Sequence, residues 1–143
     1  MSKIISAHDL QIDLHSASEA GLFKWLLASF LMGTRIQGAI AAKAYQVIVE
    51  QHQRDTPQKL ANCTHCQLVA MLGQARYVRY DETTASRLLA LARKLSDEYG
   101  GKVSNIVEAS ADRQALEKRL SEFEGIGPKT IEIFMREAAA VLF

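Results

Sequence analysis

The chain has 143 residues, the size of one domain, and its 48% hydrophobic content is enough to build a core. A formal charge of +1 excludes a global basic field, so any nucleic-acid contact has to come from a local patch. No apolar run is long enough to span a bilayer and the N-terminus lacks the apolar stretch of a secretion signal, so the sequence reads as soluble and cytoplasmic, with no membrane partner.

Taken in chain order, residues 1–15 read as an extended arm, because Leu10, Ile12 and Leu14 alternate as in a strand that has no partner elsewhere. Ser16 and Glu19 then form a capping-box pattern ahead of Ala20 to Leu31, a run apolar on most faces and therefore the expected central helix, closed by Gly33. From Gln37 to Gln51, Ile40, Ala41, Ala44, Val47 and Ile48 share one stripe while Lys43 and Gln46 fall off it, the pattern of an amphipathic helix. Thr56-Pro57 opens a short helix, with proline in the first turn where its missing N–H costs nothing.

Cys63 and Cys66 form a Cys-x-x-Cys pair, with His65 between them and His52 upstream. A zinc site would require both histidines to converge on the pair. With no other cysteine and no βαβ pattern nearby, the two are read as reduced structural thiols, and neither a metal nor a cofactor is expected. Thr64 to Leu72 is helical in pattern and is expected to stop at Gly73. Residues 74–81 form a polar and aromatic connection. Glu82 to Tyr99 repeats Leu88, Leu91, Ala92 and Leu95 at helical spacing and ends at Gly100-Gly101. Ser104 to Ala109 reads as one brief turn. Ser110 or Asp112 caps a helix over Arg113 to Phe123 with Leu116, Leu120 and Phe123 facing inward. The expected fold class is all-α: one helical domain over residues 16–143 behind the arm, with no room for a sheet.

The most informative stretch follows, Phe123-Glu124-Gly125-Ile126-Gly127-Pro128-Lys129-Thr130 and then the apolar-periodic Ile131 to Leu142. It reads as helix, two-glycine hairpin and second helix, spanning about residues 112–142. Glycines flanking one apolar residue let the backbone take φ > 0 and approach a ligand without a Cβ in the way, and Pro128 suits the first helical position. The free N–H groups and positive dipole end of the second helix aim at the same spot, which makes an anion site. A local basic balance accompanies it. Between Gly73 and Lys94, Arg76, Arg79, Arg87, Arg93 and Lys94 face only Asp81 and Glu82. Tyr77 and Tyr80 interleave with the first two arginines, which suits either stacking on nucleic acid or an ordinary packed loop. Arg113, Lys118 and Arg119, balanced by Glu117 and Glu122, read as a solvated face.

These residues, from about Gly21 to Arg136, resemble the helix-hairpin-helix DNA glycosylase superfamily, and its endonuclease III branch most. The resemblance implies a helical domain that grips a phosphate of double-stranded DNA with the hairpin and acts in base-excision repair on a base flipped out of the stack. It implies DNA contacts from Gly125, Ile126, Gly127, Lys129 and Thr130; the local basic balance adds Arg76 and Arg79 of the loop as candidate DNA contacts. Where the family commonly fills the gap left by the flipped base with glutamine, this chain has Gly33-Thr34-Arg35-Ile36, which points to Thr34 or Arg35. It also implies Lys129 as the amine that attacks the sugar C1′ to form a Schiff base in lyase-competent members. The branch's iron–sulfur cysteine cluster has no counterpart here. The family's essential aspartate lies beyond the second motif helix, and no Asp follows Asp112, so the expectation is of a form lacking that segment. Two readings stand: a DNA glycosylase with abasic-site lyase activity through Lys129, or a non-catalytic DNA-binding module. A third reading leaves the hairpin as a tight turn in a protein-interaction domain. The apolar tail Ala138 to Phe143 calls for cover from a homodimer, a partner chain or the N-terminal arm.

Overall fold

The computed structural model describes residues 5–15 and 18–143. Among them are eight α-helices and no strand: α1 Glu19–Met32, α2 Gly38–Tyr45, α3 Pro57–Ala61, α4 His65–Gln74, α5 Asp81–Tyr99, α6 Val103–Glu108, α7 Arg113–Ser121 and α8 Pro128–Leu142. The all-α expectation holds. α1 is the central element, as its all-round apolar sequence implies: Leu22, Trp25, Leu26, Leu27 and Leu31 are fully buried. It packs against α2, α6 and α8, while α5 packs against α3, α4 and α6. The indole Nε1 of Trp25 donates to the Phe134 carbonyl at 3.1 Å, fastening α1 to the last helix.

Local chemistry sets most boundaries. The expected capping residue Ser16 lies outside the described residues; Ser18 is the cap, its hydroxyl accepting from the Gly21 N–H at 3.1 Å. Glu19 reaches instead to the start of α6, where its carboxylate accepts from the Val103 N–H at 2.6 Å and from the Ser104 N–H and hydroxyl. A complete capping box of Thr64 and Gln67 starts α4, and Thr56 with Pro57 starts α3. Asp112, rather than Ser110, caps α7 through the Ala115 N–H at 2.8 Å.

Three expectations need correction. The arm is not extended throughout: His8–Leu10 make a 3-10 turn, and Ala7, Leu10 and Ile12 are buried in the core. The Ala7 N–H donates to the Glu137 carboxylate at 2.8 Å, so this segment lies against α8. Cover of the tail is partial, with Ala138 buried while Val141 and Phe143 stay exposed. The helix expected over Gln37 to Gln51 changes to π-helical hydrogen bonding over Gln46–Gln51. The consecutive Val47, Ile48 and Val49 of this wider turn are all buried. Finally, α4 does not stop at Gly73. It runs through that exposed residue and ends in a Schellman pair, Tyr77 N–H to Leu72 C=O at 2.9 Å and Arg76 N–H to Gly73 C=O at 3.0 Å. Arg76 (φ 63°) takes the left-handed position and buried Tyr77 supplies the apolar anchor.

Burial, with Glu50 and Asp55 nearby, pushes the phenol of Tyr45 well above its ordinary 10.0. The folded state therefore keeps a proton that the unfolded chain releases above about pH 10, so this stability is complete below that pH and is lost as pH rises beyond it. Denaturant unfolding measured from about pH 8 to 11 is expected to show a steeper alkaline loss for the wild type than for Tyr45→Phe. Equal slopes would remove Tyr45 as the cause.

Candidate nucleic-acid interface

The hairpin is built on a rigid base. Phe123, buried at the end of the α7 segment, stacks on Tyr99 of α5 with ring centroids 6.1 Å apart. The Ile126 N–H turns back to the Phe123 carbonyl at 3.1 Å. Gly125 sits between these at φ +87°, and an added Cβ would lie 2.7 Å from Arg87 Cδ and 2.9 Å from the Phe30 ring. Both conformation and space therefore require glycine there. Gly127 differs: its backbone is extended (φ −107°), and the position of an added Cβ is open space. It is the N-cap of the 15-residue α8, and no side chain caps that end. Pro128 at the first position has no N–H, so the N–H groups of Lys129 and Thr130 leave the first turn without intrahelical acceptors.

Beside this turn lies a groove of about 420 Å³. Gly33, Thr34 and Arg35 line it from the turn after α1, Tyr80 from the N-cap of α5, Thr83, Thr84 and Arg87 from the first half of that helix, and Gly125 from the hairpin. None of these is a carboxylate. The fold thus brings Arg35 and Gly125 together over more than eighty residues of sequence. The close approach of α1 and α8 explains how: a Cβ at Gly33 would overlap the Thr130 hydroxyl, so glycine at the end of α1 lets the hairpin helix seat.

Each expected contact residue has a definite place. Ile126 and Thr130 are buried, so their side chains are packing groups and are not available for contact from outside. Lys129 is exposed in the first turn of α8 and is not among the residues lining the groove. Arg76 is exposed and its backbone ends α4. Arg79 is exposed with its guanidinium 5.2 Å from the ring centre of Tyr80, and that ring lines the groove. The two tyrosines divide: Tyr77 is buried and its hydroxyl bonds that of Thr34 at 2.8 Å, whereas Tyr80 is 54% exposed. Thr34 is thereby committed, also donating to the Leu31 carbonyl at 3.0 Å, which leaves Arg35 as the exposed cation of that turn.

Sequence reasoning undervalued Arg87. Its side chain is 43% exposed, yet its Nε is sealed from water with no hydrogen-bond acceptor, and the nearest carboxylate oxygen, Glu124 Oε1, is 4.0 Å away. Arg87 lies within the first two turns of α5, and Tyr80, the N-cap of that helix, lines the same groove. Lys94 is spent elsewhere, its ammonium 2.7 Å from Glu98 and 5.5 Å from the Phe123 ring centre; the bond to Glu98 raises its pKa. The cysteines do not form a centre with the histidines. Cys63 is buried, which pushes its thiol up, and Cys66 is exposed. His52 bonds Gln74 at 2.8 Å and His65 bonds the Glu82 carbonyl at 2.9 Å. No helix among the described residues is long and apolar enough to cross a membrane.

Comparison of the chain with protein-family models, with curated proteins and with solved structures gave no match in any of the three.

Proposed function

We propose that this protein binds double-stranded DNA as a module of the helix-hairpin-helix DNA glycosylase type, holding one phosphate at the hairpin 125–130 and neighbouring backbone along the Arg35 groove. The observation that carries the reading is the uncapped N-terminus of α8 at an open Gly127, next to a groove lined by two arginines and no carboxylate. Backbone N–H groups position a phosphate without reading sequence, and arginines on a stacking ring add charge and contact area. Binding, rather than base excision, is the favoured activity, because glycosidic-bond cleavage needs a carboxylate facing the flipped nucleotide and the groove lining has none.

The exposed amine of Lys129 in the same turn supports a second reading, abasic-site lyase. There the amine would add to C1′ of the opened sugar and lose water to give an imine that borohydride reduces to a stable adduct. One experiment separates the readings. Fluorescence anisotropy with a labelled duplex is expected to show binding that weakens as salt rises, with a shallow slope because few phosphates are contacted. Borohydride trapping on abasic-site duplex is expected to leave no adduct. An adduct present in the wild type and lost in Lys129→Ala would establish the lyase, and no duplex binding at any salt would end both readings.

A further inference from the structure

Arg87 has a feature that an ordinary surface ion pair lacks. Its stem lies against Gly125, its Nε–H is closed to water without an acceptor, and its Coulomb partner Glu124 is 71% exposed and 4.0 Å distant. An arginine fork bound to a carboxylate makes short bonds of about 2.7–2.9 Å, and this pair makes none. We propose that Arg87 is a phosphate ligand of the groove, only loosely paired with Glu124 at 4.0 Å in the free protein and drawn onto a DNA phosphate oxygen when duplex enters, an inference that rests on the DNA-binding reading above.

The sequence neighbourhood supplies the exchange. Glu124 is the residue next to Gly125, so a phosphate seated on the hairpin places negative charge beside the carboxylate and repels it. The same phosphate attracts the guanidinium, whose fork matches phosphate oxygens. Glu124 and Arg87 therefore act on DNA affinity with opposite signs. A merely structural pair predicts something else, equal small losses of stability from either partner and no change in binding.

The test is anisotropy with one labelled duplex over a series of salt concentrations, on wild type, Arg87→Met, Arg87→Lys and Glu124→Gln. Arg87→Met keeps the aliphatic stem on Gly125, and is expected to bind about tenfold more weakly with the salt slope reduced by about one. Arg87→Lys is expected to keep the slope and recover only part of the affinity. Glu124→Gln is expected to bind about threefold more tightly, through relief of like-charge repulsion. Circular dichroism checks each variant; if Arg87→Met does not fold, the lysine and glutamine variants decide. Wild-type affinity and slope in all three would overturn the role of Arg87 while leaving the DNA-binding reading standing. Absence of duplex binding by the wild type would overturn both.

Discussion

Replacing Gly127 with alanine is expected to leave the protein folded and to lower duplex affinity by about tenfold or more, whereas Gly125→Ala is expected to impair both folding and binding. The two glycines are separated by one residue and do different things. At Gly125, φ is +87° and a Cβ would press on Arg87 and Phe30, so alanine meets a conformational cost of about 1–2 kcal/mol and a packing cost besides. At Gly127 the backbone is extended and the Cβ position is empty, so alanine loses only part of a favourable helix cap, about 0.5–1 kcal/mol. On the DNA-binding reading proposed above, the added methyl stands where a phosphate would approach the N–H groups of α8, and the substitution would remove that contact. Denaturant unfolding and anisotropy on the two variants check this. A Gly127→Ala protein that binds duplex as tightly as the wild type would show that the hairpin is only a turn.

The largest effect on stability is expected at Trp25. This residue is completely buried, it is the chain's one tryptophan, and its indole N–H is bonded to Phe134 at the centre of α8. Trp25→Ala removes that bond and opens a large cavity in the seam between the first and last helices, at a cost of about 3–5 kcal/mol. Domains of this size are stable by about 5–15 kcal/mol, so the variant is expected to be partly unfolded at 37 °C. Trp25→Phe retains most of the volume and is expected to fall between. Thermal melts followed by far-ultraviolet circular dichroism measure both. Loss of less than about 1 kcal/mol in the alanine variant would mean that the α1–α8 seam is held elsewhere.

Much of this architecture was legible because local signals coincide. Proline after threonine at 56–57, glycine at 100 and the unbroken apolar run of α1 each mark a boundary or a burial that chain-local chemistry alone determines. The misses occurred where tertiary structure decided. Nothing in the alternation of Leu10, Ile12 and Leu14 says that Ala7, at the start of a 3-10 turn, will bond Glu137, 130 residues away. Gly73 looks like a stop, but helix termination needs a left-handed residue and an apolar anchor after it, and Arg76 with Tyr77 supply those. The hairpin's outline was readable for the same reason as the caps. The groove beside it was not, because it joins the turn after α1, the start of α5 and Gly125, three segments related only by packing. Hence Arg35 and Gly125 emerge as neighbours, Thr34 and Tyr77 are used up on each other, and Arg87 gains weight that composition could not give it.

The bond from Trp25 to the Phe134 carbonyl spans 109 residues of sequence, and it bears on how the protein is made. Synthesis proceeds from the N-terminus, so α1 leaves the ribosome with its apolar surface complete and its α8 partner still untranslated. Until Phe134 has emerged, the most hydrophobic helix of the chain has one face with nothing to pack on. Closing that face waits on α8, so the hairpin that leads into this helix is tied to completion of the core. A nascent chain would acquire its hairpin turn and its resistance to proteolysis in the same step, and a chain released before that step would expose α1 to chaperones or aggregation.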